Sequence, residues 1–126
     1  MEPYKNLPFT RRMGFAFSGI AGAIRTEQSL RIQFAVVPVL ALLLALLRVE
    51  PLWWALSGLS CATVLAAELL NTALERLCDH LHPAQHPAVG AAKDCAAGAV
   101  LITCLGALAV AGALAVHLYQ RGLLPR

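Results

Sequence analysis

The chain has 126 residues, 59% of them hydrophobic and 13% charged, with a net charge of +3. A soluble domain carries about a quarter charged residues, so the composition excludes an ordinary soluble enzyme and points to a small integral membrane protein; the length allows one domain. So slight a positive balance argues against nucleic acid as a partner and speaks instead to membrane topology.

In chain order, the N-terminal stretch carries Arg11 and Arg12 but no apolar run followed by a cleavage site, so it reads as mature protein rather than a signal peptide. Residues 8–30 set Phe15, Phe17, Ile20, Ile24 and Leu30 among small and basic residues, which predicts a helix lying in the membrane interface. The first span is placed at 31–49, around "FAVVPVLALLLALL". That run is short for a crossing of about 20 residues, so its helix should begin earlier, near Glu27, and Pro38 should bend it only locally. The second span, 52–78, opens on Trp53 and Trp54, which suit a membrane–water boundary. The third, 92–119, is uncharged from Cys95 to Tyr119 and rich in small residues that favour close helix contact. Three such helices bury a polar site poorly alone, so a homo-oligomer is expected. Cys61, Cys78, Cys95 and Cys104 form no CxxC pair, and a disulfide framework is not expected.

With three spans, the N-terminus shares one side with the 76–94 loop. That side holds Lys5, Arg11, Arg12, Arg25, Arg31, Arg76 and Lys93, against Arg48, Arg121 and Arg126 on the other. The excess of Lys and Arg places the first side in the cytoplasm.

The segment "AAELLNTALERLCD", residues 66–79, brings Glu68, Asn71, Glu75 and Asp79 into a helix that is still apolar. At about 100° per residue, Glu75 and Asp79 each lie roughly 20° from Glu68, on opposite flanks, and Asn71 roughly 60° away. The polar residues therefore form one stripe. Intramembrane acids normally face a bundle interior or an aqueous cavity and mark function. A carboxylate withdrawn from water holds a proton more readily, which suits Glu68 to general-base work. Two acids and an amide can also hold Mg²⁺, which prefers oxygen ligands and often bridges substrate phosphates.

A second polar group, "HPAVGAAKDCAAG", places Lys93 and Asp94 just before the third apolar run. Lys93 can serve as an interfacial anchor or as a point charge for a phosphate. His80, His82 and His86 form only a weak zinc or nickel candidate. Glu27 either pairs with the nearby Arg25 or Arg31 or adds a further carboxylate to a metal–phosphate site. No GxxxxGK[ST] loop, GxGxxG unit, His-Arg-Asp loop or GxSxG elbow is present, so no familiar soluble nucleotide-binding fold is indicated. The same carboxylates would suit a small cation-transport subunit, and a non-enzymatic membrane scaffold is a third possibility. The gathering of acids at one side disfavours the former, and their shared helix face the latter.

"ELLNTALERLCD", "HPAVGAAKDCAAGAVLI" and, upstream, "EQSLRIQ" closely resemble, in order and spacing, the motifs of the prokaryotic diacylglycerol kinase family, which includes the undecaprenol kinases. The resemblance covers residues 14–105. It implies an all-α membrane protein, an interfacial helix plus three transmembrane helices in a homotrimer, in the bacterial inner membrane with the active site facing the cytoplasm. It implies transfer of the γ-phosphate of ATP, with Mg²⁺, to a membrane lipid alcohol, diacylglycerol or undecaprenol. By motif it makes Glu68 the catalytic base and Glu27 and Glu75 metal ligands. It assigns nucleotide contacts to Lys93, Asp94, Asn71, Asp79 and His86, and lipid-substrate contacts to Ser29, Arg31 and Glu68. Gln33 stands where the enterobacterial type has a glutamate, and Phe15 where some members have a tyrosine.

Overall fold

The computed structural model describes residues 7–82, 84 and 86–123. Lys5 and Arg126, counted above for sidedness, lie outside them. The described residues form four helices: α1 (Phe9–Thr26), α2 (Gln28–Leu46), α3 (Pro51–Leu81) and α4 (Pro87–Gln120). Three of these, α2 to α4, are long and apolar enough to cross a membrane. The most extensive pairing is α3 with α4, followed by α2 with α3; α1 touches α2 and α3 lightly.

Length explains how these helices serve two environments. α3 has 31 residues and α4 has 34, hence roughly 47 and 51 Å of helix at 1.5 Å per residue. A hydrocarbon core is about 30 Å thick, so each helix has a polar overhang of three to four turns to place in the headgroup region. The end of α3 beyond about residue 71 and the 87–94 segment of α4 are adjacent overhangs, which is why Asp79 meets Lys93, while Glu68 stays at the edge of the apolar stretch. Outward, large side chains such as Val39, Leu42, Leu59, Ile102, Leu105 and Leu108 are exposed. Such a surface suits lipid or other helices, not water.

The opposite end is closed by two helix-stop motifs of the same kind. After α2, Arg48 takes φ +50°, its N–H donates to the Ala45 carbonyl (3.2 Å), and the Val49 N–H donates to the Leu44 carbonyl (3.3 Å). This paired pattern is the Schellman motif, and its usual apolar contact is here Val49 against Leu44. α4 ends alike: Gly122 has φ +71°, with Gly122 N–H to the Tyr119 carbonyl and Leu123 N–H to the Leu118 carbonyl, both 3.0 Å. Leu44, Val49, Leu114 and Leu118 are buried together, with Leu40, Leu47 and Trp53 packed on them. The tightest core of the single chain thus sits at the end remote from the acidic stripe.

A polar clasp crosses that core. Glu50 Oε2 lies 3.0 Å from His117 Nε2 and Glu50 Oε1 3.1 Å from an Arg121 guanidinium nitrogen, while the Trp53 and His117 ring centres are 5.1 Å apart. A hydrogen bond from its own backbone N–H, reinforced by His117 and Arg121, holds the Glu50 carboxyl below the usual carboxylate range. A depressed folded-state pKa means the clasp's contribution is complete above the ordinary carboxylate range and is lost as pH falls through the lower, folded-state value. Acid titration is therefore expected to shift Trp fluorescence in the native protein, and Glu50→Gln should remove that step.

α2 begins one residue after α1 ends. Glu27, with extended backbone (φ −98°, ψ 120°), forms the elbow. Ser29 consequently joins Arg31 in the first turn of α2, although the sequence places Ser29 in the 8–30 interfacial stretch and only Arg31 in the first span. α2 runs unbroken through Pro38. α4 starts at Pro87, five residues before the predicted 92, because Pro87 takes the first helical position and His86 caps it. Cys61, Cys78, Cys95 and Cys104 are free.

Candidate active site

Glu68 is 17 residues beyond Pro51, the first residue of α3, hence roughly 26 Å along it and near the far edge of a hydrocarbon core that Trp53 and Trp54 begin. It is only 9% exposed, and Thr72, one turn on, is 5% exposed. No hydrogen bond or ion pair joins Glu68 to another described residue. A buried carboxylate without a partner is costly, and its retention argues for a ligand that uses it.

Asn71 and Glu75 are a coupled pair one turn apart. Asn71 Nδ2 donates to Glu75 Oε1 at 3.2 Å. Because a carboxylate only accepts, the amide NH₂ must face Glu75, and Asn71 Oδ1 is turned away. That oxygen is buried and has no hydrogen-bond partner among the described residues. The pair thus offers an unsatisfied buried acceptor and, on Glu75, one oxygen tied and the other free.

Glu27 is built the same way. Its Oε1 accepts from Thr26 Oγ1 at 3.0 Å and from an Arg76 guanidinium nitrogen at 3.2 Å. Arg76 also donates to Thr26 Oγ1. The partner of Glu27 is therefore Arg76 of α3, and not Arg25 or Arg31, the neighbours considered from sequence. The helical break at Glu27 lets the carboxylate leave the α1 and α2 surfaces and meet α3 at Arg76, the residue after Glu75.

Further along, Lys93 Nζ bonds Asp79 Oδ1 at 2.9 Å, linking α4 to α3. A cavity of about 600 Å³ opens here, with Asp79, His82, His86, Gly90, Lys93 and Asp94 on its walls. The start of α4 borders it; Pro87 has no N–H, and the Ala88 and Gly90 N–H groups are both donated to His86, so the cation of Lys93 is the main anion-favouring group on this wall. His86 Nδ1 accepts from the Ala88 N–H at 3.2 Å, so His86 caps α4 while lining the cavity. Ser29 and Arg31 are exposed near the elbow, and no hydrogen bond or ion pair ties either side chain to another described residue. A second, apolar cavity of about 500 Å³ lies among α2, α3 and α4, with Gln33, Leu65, Ser57 and Cys104 among its lining residues. Leu65 is one turn from Glu68.

The sequence profile of the prokaryotic diacylglycerol kinase family matches residues 14–115. The chain belongs to that family. It is 36% identical over 101 residues to a diacylglycerol kinase of Synechocystis sp., covering 79% of this chain and 58% of that protein. It is 32% identical over 94 residues to an undecaprenol kinase of Bacillus subtilis, covering 75% of this chain and 76% of that one. The chain therefore spans less than two thirds of the Synechocystis relative's length. The family match contains every candidate residue from Glu27 to Asp94 and runs ten residues beyond the sequence resemblance, to 115.

Three groups join Asp79, Lys93, Asp94 and His86 at one cavity, Asn71 with Glu75, and Glu27 with Arg76. Sequence reasoning passed over Arg76, Thr26 and Thr72. Thr72 carried a signal, since it stands four residues after Glu68 and shares its face. Arg76 read as one more basic residue in the topology count, and only its fold neighbours give it another role.

Proposed function

We propose that this chain is an ATP-dependent lipid kinase that transfers the γ-phosphate of ATP to the hydroxyl of a membrane lipid alcohol, diacylglycerol or undecaprenol. The observation that carries this reading is Glu68, a buried and unpartnered carboxylate at hydrocarbon depth, one stripe with the Asn71–Glu75 pair and the Lys93 cavity. A nucleotide in the cavity would have its phosphates beside Lys93, with Asp94, Asp79, His86 and Asn71 around it. The apolar cavity beginning beside Leu65 suits a lipid chain whose hydroxyl reaches Glu68, with Ser29 and Arg31 at the headgroup.

Glu68 takes the proton of the lipid hydroxyl. The lipid oxygen then bonds to the γ-phosphorus as the bond to the bridging oxygen breaks, and ADP leaves with that electron pair. Positioning and electrostatics supply most of the acceleration in such transfers.

The donor set fits Mg²⁺. Among the described residues no three acidic, His or Cys side chains converge on one point, and Mg²⁺ is commonly held by one or two carboxylates plus substrate phosphates. Glu27 and Glu75, each with one oxygen fixed and one free, would hold it. When bound, the ion offsets charge on the phosphate oxygens.

The positive-inside count supports a cytoplasm-facing site, and membership of a prokaryotic family supports a bacterial inner membrane, with α1 along its surface. A homotrimer would cover the exposed apolar faces of α2 to α4.

The test is ATP consumption by purified protein in mixed micelles, with diacylglycerol and undecaprenol competing and the products separated by thin-layer chromatography. Lipid-dependent ADP release with one phosphorylated lipid is expected. No lipid-stimulated turnover with either alcohol would leave a cation-transport subunit or a scaffold as the better reading.

A further inference from the structure

We infer that Arg76 is a positioning residue that orients Glu27 for a divalent cation, an inference that rests on the assignment of Glu27 to the metal. Thr26 and Arg76 converge on the same oxygen of Glu27, Oε1, at 3.0 and 3.2 Å. Arg76 is itself braced by its bond to Thr26 Oγ1. These contacts engage Oε1 and leave Oε2 without a partner among the described residues; the single Thr26 hydroxyl proton is also within reach of the Ala23 carbonyl (3.2 Å), so Arg76 is the more constant donor. Hydrogen-bonded supports of this kind orient metal ligands, and their loss typically costs about 10–100-fold in metal affinity or activity.

The placement in the chain strengthens the inference. Glu27 stands at the extended elbow between α1 and α2, its N–H donating to the Ala23 carbonyl and its carbonyl accepting from the Arg31 N–H, so the backbone is held while the side chain is free to turn. Ala23 and Leu30 are buried on either side of the elbow, so packing fixes its backbone and leaves the carboxylate itself to be oriented by polar contacts. Arg76 follows Glu75 directly. A guanidinium anchored there brings Glu27 to α3 at the level of the second carboxylate. Its charge also offsets the repulsion between two acids before a cation arrives.

A simple surface ion pair is the competing account. The side chains are 48% and 34% exposed, and pairs so exposed contribute little to stability. The two accounts therefore separate: positioning predicts a large effect on metal binding with little effect on thermal stability. Both bonds come from a single guanidinium nitrogen, so a lysine ammonium, with three donors of its own on a shorter stem, should rescue in part.

The experiment is Mn²⁺ titration by electron paramagnetic resonance, on the full chain in detergent micelles with a non-hydrolysable ATP analogue. Arg76→Ala should weaken Mn²⁺ binding about tenfold or more, and Arg76→Lys by a smaller factor. The unfolding midpoint should hardly change. In turnover, the Mg²⁺ KM should rise by a similar factor while kcat falls less than about threefold. Unchanged Mn²⁺ affinity in Arg76→Ala, alongside weakened binding in Glu27→Gln, overturns the role of Arg76 alone. Unchanged affinity in Glu27→Gln instead overturns the metal assignment beneath it. Tighter binding in Arg76→Ala would make Arg76 a competitor of the cation and also overturn the inference.

Discussion

Glu68→Gln is expected to lower lipid-dependent phosphoryl transfer by about 10²–10⁴-fold, the usual contribution of a general base, with helix content and assembly unchanged. Glutamine keeps the volume and one acceptor oxygen but cannot take a proton. The burial of Glu68 makes the test clean. No described residue is hydrogen-bonded or paired with it, so the substitution removes a proton acceptor without leaving a buried partner unpaired. Losing a buried charge at hydrocarbon depth should, if anything, stabilise the helix. A variant that folds as well as the native chain and turns over normally would rule out Glu68 as the base. Binding of the ATP analogue is expected to persist, because the Lys93 cavity lies two to three turns further along the stripe.

Glu75→Gln should have the second-largest effect, a loss of about 10²-fold or more in turnover together with most Mn²⁺ affinity. The substitution acts twice. It removes an anionic ligand, and it permits the new amide to present its NH₂ to Asn71, reversing the orientation that the native carboxylate imposes. Asn71 Oδ1, now buried and unsatisfied, could then be drawn back onto position 75. Asn71→Leu separates the two contributions: it frees Glu75 Oε1 and removes the buried acceptor while retaining both acids, and it should cost less than Glu75→Gln. Equal Mn²⁺ affinity in native protein and Glu75→Gln would remove Glu75 from the metal site.

What could be read from the chain follows from where each interaction is encoded. The spans are legible because apolar runs are a local property and membrane thickness sets their length. The stripe is legible because Glu68, Asn71, Glu75 and Asp79 share one helix, where 100° per residue turns spacing directly into direction. Contacts between helices are different. Arg76 and Glu27 are 49 residues apart and Glu50 and His117 are 67 apart, so no periodicity announces either pair. The start of α2 at Gln28 is legible near Glu27, because the apolar run alone is too short to cross, but the extended conformation of Glu27 is not, since neither glycine nor proline marks it. Arg48 in the left-handed region is likewise unsignalled, because glycine is the usual choice there. The partner of Asn71 is also set by the fold: its amide faces Glu75, which gives its other oxygen a direction.

The clasp of Glu50, His117 and Arg121 gains a further meaning from the length of α3. It secures the start of the helix beside Trp53, at a membrane boundary, and Glu68 stands 17 residues on from Pro51. The remote end would therefore set the depth of the acid. In a bilayer whose thickness differs by a few ångströms, the helix must tilt or the lipid must deform, and Glu68 would move relative to the plane where lipid hydroxyls lie. The protein is in this sense matched to a membrane as well as to a substrate.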